Sequence, residues 1–267
     1  MISSIKPNKA IKILIKILKV IVVTAFWVLV WEVASRLVSK DNELMLLILP
    51  SPKAVFQKWL SIAFTKPYLT AVGKSLVRIL SGFLIGVVAG AVLGVATHLS
   101  KVFDLFLSPA VKVVRAVPVI AISILLFLFF KSDTLPVCIV CLMVIPIIWQ
   151  TVYDGLNEQN KPLSEMAKVY NLSKYKRFLY IKVPSVLPSL VSSCVSAMGL
   201  AWKSGIAAEV ISLPKKSLGT KLWQSKGSID FDEVYAVTLT VVILSIVIEF
   251  ILKKGVAFAL KKAGVTK

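Results

Sequence analysis

PLSEMAKVYNLSKYKRFLYIKVPSVLP, residues 162–188, is the longest polar interval in the last two thirds of a chain otherwise dominated by apolar runs. It carries Lys168, Lys174, Lys176, Arg177 and Lys182 against a single acid, Glu165. Two short helices are legible in it. Ser164 is placed to cap the first, with Glu165 in its first turn, where negative charge suits the helix dipole. Asn171 tolerates a left-handed backbone and can end that helix near Tyr170. Ser173 can cap a second helix running to about Val183, and Pro184 and Pro188 are expected to punctuate entry into the next apolar segment.

The flanks of this stretch decide the class of protein. The 267 residues are 57% hydrophobic and 17% charged, with a mean hydropathy of +0.86. Several runs approach the roughly 20 apolar residues needed to cross a bilayer. The expected fold is therefore all-α, a polytopic transmembrane bundle of about six spans. They are expected at 20–37, 76–96, 111–130, 135–153, 190–213 and 234–252. Residues 1–19 read as a cytoplasmic amphipathic segment, with Lys9, Lys12, Lys16 and Lys19 on one helical face. The apolar run after it is too long for a signal-peptide core, so a retained helix is expected. Residues 20–252 read as one membrane domain and 253–267 as a basic cytoplasmic tail. In residues 49–64, Val55, Trp59, Ile62 and Ala63 recur at helical spacing after the turn prolines Pro50 and Pro52, which reads as a helix on the outer surface.

The formal net charge of +19 borders the spans. It therefore points to anionic lipid and membrane orientation, with no nucleic acid implied. Nineteen Lys and Arg fall on the side holding both termini and residues 162–188, twelve on the other, and Lys203 is the last of 32. This bias places both termini and the polar stretch in the cytoplasm. Cys138 and Cys141 form a C-x-x-C inside an apolar run with no second pair, and His98 is the only histidine. Neither supports a metal or redox site; buried small hydrophobes are the simpler account of the cysteines.

Within the spans, Gly82, Gly86, Gly90 and Gly94 recur every four residues and strip one helix face bare. That spacing predicts a packing seam, within the protomer or between copies. Lys203 and Glu209 are ionisable residues inside a span. A charge there costs roughly 2.5–3.5 kcal/mol on insertion scales, so each is expected either to face a cavity or a partner, or to snorkel or make a local structural hydrogen bond. There is no G-x-x-x-x-G-K-[ST] and no catalytic motif, so the chain has no visible means of hydrolysing ATP.

The 162–188 stretch resembles the EAA loop of ATP-binding-cassette (ABC) importer permeases. Glu165, Met166 and Ala167 stand at the E-A-A positions, with Met for the first Ala and Asn171 for the usual Gly. L-P-S-P at 49–52, S-L-V-R at 75–78, R-A-V-P at 115–118 and Ala208-Glu209 are similar to the nitrate, taurine and aliphatic-sulfonate branch; Ser217-Leu218-Gly219 departs from its G-x-G. The resemblance implies a MetI-like fold in a bacterial plasma or inner membrane. It implies a permease that is not itself an enzyme, with no cofactor of its own because ATP is used by a partner. An ABC ATPase subunit would dock on Ser164, Glu165, Met166, Ala167, Tyr170, Asn171, Tyr175 and Phe178. An extracytoplasmic substrate-binding protein and a second permease copy would complete the assembly, and Lys203 or Glu209 would line the path. The implied substrate is a small anion such as nitrate, taurine or a sulfonate, or alternatively a pyrimidine-type thiamine precursor. The competing class, an ion-coupled secondary transporter, needs midplane charges and an inverted repeat; only Lys203 qualifies.

Overall fold

The computed structural model describes residues 9–39, 48–158, 165–167 and 169–262. Ser164, expected as a cap and docking residue, lies outside them. The described chain runs α1 (Lys9–Ser39), α2 (Pro52–Ala63), α3 (Lys66–Leu99), α4 (Lys101–Ala116), α5 (Val119–Phe127) and α6 (Leu135–Asn157). It continues with α7 (Lys174–Arg177), a π turn (Phe178–Lys182), α8 (Val183–Ser212), α9 (Leu218–Gly227) and α10 (Phe231–Lys262). Five helices are long and apolar enough to cross a membrane, or six if the bent α4–α5 pair is one crossing.

The centre of the bundle is α3, α6 and α8. The glycine seam explains how closely α3 and α6 approach. A methyl group on Gly82 would sit 2.6 Å from the Val137 carbonyl oxygen, and one on Gly86 would sit 2.8 Å from Val144 Cβ. On Gly90 and Gly94 it would meet Ile148 Cβ at 2.9 Å and Val152 Cβ at 2.8 Å. The seam therefore lies inside the protomer, against α6. Gly205 on α8 closes the triangle, with Ile79 and Val140 over its Cα. Tyr68, Ile79, Val140, Val144, Ile148, Met198 and Trp202 fill the interior. Polar atoms at this depth are paired in side-chain bonds such as Trp149 Nε1 to Thr97 Oγ1, 2.9 Å, as an apolar medium demands.

Three expectations are corrected. Residues 111–130 do not form one continuous helix. The chain breaks between α4 and α5 with a 102° bend. Val117 and Pro118 are both extended there, with ψ of 130° and 134°. Proline crowds the backbone of the residue before it out of the helical region, and a β-branched Val yields readily. Pro184 and Pro188, by contrast, do not interrupt the helical path, because the π turn shifts the hydrogen-bond register just ahead of them. Val183 N–H reaches back to the Phe178 carbonyl, and the chain passes without a break from α7 through to Ser212. Finally, α3 begins ten residues before the expected start of its span, at Lys66, because Thr65 and Pro67 open a good first turn.

The outer layer is α1, α2 and α10. α1 is one helix across the expected boundary at residues 19 and 20. It is tethered by Trp31 Nε1 to the Pro50 carbonyl, 3.1 Å, and Ser35 Oγ to the Leu49 carbonyl, 2.8 Å.

Candidate functional sites

Three groups of polar residues stand out against the apolar bundle, one at each end and one along α8.

The first is the 162–188 stretch, hereafter the arm. Met166 and Ala167 are helical, and Asn171 takes φ 48°. The Leu172 N–H bonds the Ala167 carbonyl at 3.0 Å, the six-to-one closure that ends a helix on a left-handed residue. Asn does here what Gly does elsewhere. Ser173 Oγ then accepts from the Lys176 N–H, opening α7. Of the expected docking residues, Ala167 is buried; Glu165, Met166, Tyr170, Asn171 and Tyr175 are exposed. Phe178 is half-buried and stacks on His98 at 6.5 Å. Val169, not anticipated, is 80% exposed beside Tyr170 at 72%. Contiguous apolar side chains on a polar surface mark a contact site.

The second group lies at the opposite end of the same helices. Glu209 is completely buried. Its carboxylate accepts from Ser75 Oγ at 2.7 Å, from the Gly219 N–H at 3.2 Å and from Arg78 at 3.4 Å. Ser75 Oγ in turn accepts from the Leu218 N–H at 3.0 Å. Arg78 also reaches Asp133 at 2.5 Å and the Lys215 carbonyl at 3.1 Å. The carboxylate thus takes the Gly219 N–H directly and the Leu218 N–H through Ser75 Oγ, at the start of α9, where a helix presents positive charge. Gly219 has to be glycine: a methyl group there would lie 2.4 Å from Glu209 Cβ. Expected to line a path with Lys203, Glu209 is instead enclosed. It joins α3, the turn before α6, the end of α8 and the start of α9. S-L-V-R, Ala-Glu and Ser-Leu-Gly are three separate stretches of sequence and one cluster in space.

The third group is a stripe on α8. Ser185, Ser189, Ser192, Ser196 and Lys203 are exposed, with Gly199 and Ala207 half-exposed between and beyond them. Steps of three, four and seven residues put them on one helix face, opposite the Gly205 face that packs on α3 and α6. Lys203 has no hydrogen bond or ion pair among the described residues. The exposed face of α10 carries Val242, Ile243, Ile246, Val247, Phe250 and Ile251 instead, the composition hydrocarbon selects. A groove of about 450 Å³ between α8 and the end of α10 takes in Ser192, Ser196, Gly199 and the Glu249–Lys253 pair. The serines went unremarked in the sequence, although S-x-x-S-x-x-x-S at 189–196 carries the helical period.

Comparison with known proteins defines the class. Residues 82–254 match the family model described as "Binding-protein-dependent transport system inner membrane component", and the chain belongs to that family. It is 30% identical over 199 residues to the nitrate import permease protein NrtB of Synechococcus elongatus, covering 68% of this chain and 67% of that one. It is 30% identical over 186 residues to the putative aliphatic sulfonates transport permease protein SsuC of Escherichia coli, covering 69% of each. The taurine transport system permease protein TauC of Escherichia coli is 23% identical over 209 residues, covering 76% of each. The fold is shared with a chain of the MetNI methionine ABC transporter in an inward-facing conformation. The TM-score is 0.62 at 18% identity, covering 76% of this chain and 100% of that one. The molecule is thus a multi-pass membrane permease of an ABC importer, MetI-like in fold, whose relatives are transport subunits rather than enzymes.

Proposed function

We propose that this chain moves a small anion along the serine stripe of α8, with Lys203 as the charge that attracts it, and that the arm carries the drive from an ATPase subunit. The observation that carries the path is the contrast between two exposed faces. The exposed residues of α10 between Val242 and Val247 are all aliphatic, with Phe250 and Ile251 beyond them, while α8 offers hydroxyls, a glycine and a lysine with no partner among the described residues over its length. Side chains of that kind are stable at membrane depth where water or a second copy covers them. A homodimer with two α8 stripes facing each other satisfies this. Relatives named for nitrate, sulfonate and taurine support an anionic cargo, which an unpaired ammonium group suits.

The arm is proposed as the ATPase contact, through Met166, Val169, Tyr170 and Tyr175, with Glu165 at its rim. Its basic charge supports a cytoplasmic location for it and for both termini. Glu209 has a holding role, clamping α9 over the outer end of the bundle. Reconstitution with the partner ATPase and binding protein tests the path, using nitrate, taurine and ethanesulfonate as probes. Lys203→Ala is expected to cut uptake of the transported probe about tenfold while ATPase binding persists. Uptake of all three by neither wild type nor variant, or equal uptake by both, refutes an anion path over Lys203.

A further inference from the structure

His98 stands at the inner end of α3, and its ring is held on three sides. Lys182 Nζ lies 3.0 Å from Nε2, Asn157 Oδ1 lies 2.7 Å from Nδ1, and the Phe178 ring stacks on it at 6.5 Å with planes 20° apart. An ammonium group can only donate, so Nε2 is the acceptor, and Nδ1 carries the proton that Asn157 receives. The neutral imidazole in that single tautomer satisfies both partners. Phe178 and Lys182 belong to the π turn, the joint between the arm and α8. Asn157 is the last residue of α6. One histidine therefore ties the arm to α3 directly and to α6 through Asn157.

We infer that His98 is the positioning residue that carries displacement of the arm into α3 and α6. The inference rests on the arm being the ATPase contact. A motion of α7 would otherwise be absorbed in the π turn, where the hydrogen-bond register changes; the His98 contacts brace that turn against α3 and α6.

The test uses the assembled permease and ATPase in nanodiscs. Ser196→Cys on the α8 stripe is introduced with Cys138, Cys141 and Cys194 replaced by Ala. Alkylation of the new thiol by a membrane-impermeant maleimide is followed with and without ATP and vanadate. The ratio of the two rates reports how far ATP moves α8 and its neighbours. His98→Ala is expected to keep the ATPase bound and to bring this ratio down about tenfold toward unity, the factor one charge-assisted hydrogen bond can carry. His98→Gln offers Lys182 a carbonyl and Asn157 an amide N–H. It should restore the ratio, which a merely space-filling role would not require. An ATP-driven ratio in His98→Ala equal to wild type overturns the inference. If His98→Ala does not assemble, a ratio near unity in His98→Gln with the ATPase bound overturns it equally. No ATP-driven change even in the wild type, with the ATPase bound, would instead overturn the arm as the driving contact.

Discussion

Replacing Gly86 by Ala puts one methyl group into the α3–α6 seam at 2.8 Å from Val144 Cβ and 3.1 Å from the Cys141 carbonyl. Ordinary contact begins near 3.4 Å, so the helices must separate by about half an ångström or more along the seam. A radial gap of that size already forfeits about a quarter of each dispersion contact it opens. Overpacking of this kind costs about 1–3 kcal/mol. Against it stands the better helix propensity of Ala, up to about 1 kcal/mol. Gly73 lies on the same helix with nothing within 4 Å of its would-be methyl. Gly73→Ala gains the propensity and meets no clash. The propensity gain cancels between the two variants, which are thus expected to differ by the overpacking cost of about 1–3 kcal/mol or, at roughly 2–4 °C per kcal/mol for a chain of this size, about 2–12 °C in Tm. Thermal unfolding in detergent, read by a thiol-reactive dye at the half-buried Cys138, Cys141 and Cys194, measures it. Gly86→Leu should yield no folded protein. If Gly86→Ala melts at or above Gly73→Ala, the seam is not the tight contact that sets the α3–α6 distance.

Glu209→Ala leaves Arg78 with Asp133 and the Lys215 carbonyl and strips the Gly219 amide of its acceptor. A loss of about 3–5 kcal/mol is expected, with much of it recovered when Arg78→Leu and Glu209→Leu are combined; no recovery in the double variant would contradict the clamp. Tyr170→Ala together with Val169→Asp should release the ATPase subunit in co-purification, a loss of at least about 2 kcal/mol for a central aromatic contact. Retention of the ATPase at wild-type yield would falsify the arm as its contact. Lys58 and Asp230 form an ion pair of 2.6 Å at the outer surface, joining α2 to the start of α10. Burial opposes the Asp230 charge, but the bonds from Lys58 and the Glu233 N–H outweigh it and hold the carboxyl below its usual range. The same bond to Asp230, helped by nearby acids and opposed by burial, raises Lys58. The depressed carboxyl contributes stability above the ordinary carboxylate range and loses it as pH falls through the folded value; the raised ammonium loses its share only as pH rises past the usual lysine range. A Lys58→Met variant should therefore melt lower than wild type, by about 1 kcal/mol, at neutral pH, with the gap closing below about pH 4. A gap independent of pH would assign the loss to packing.

Much of this protein is legible in its sequence because a bilayer restricts the choices. Apolar runs must be helices, since no water is available at depth for an unpaired backbone group, and glycines every fourth residue must form a close-packed face. The turn at Asn171 and the cap at Ser173 were equally readable, because local backbone chemistry sets them. What required the tertiary structure was any property created by residues far apart. Arg78, Asp133, Glu209 and Gly219 become one cluster only when α3, α8 and α9 meet, so Glu209 could be taken from sequence as a path residue. Proline had a local meaning that neighbours overrode: Pro118 breaks the chain where Val117 is free to extend, whereas Pro184 and Pro188 are carried within a helix by the π turn before them. His98 is the sharpest case. A lone histidine past the end of a span predicts nothing, and its role comes from the lysine, asparagine and phenylalanine that folding brings to its ring.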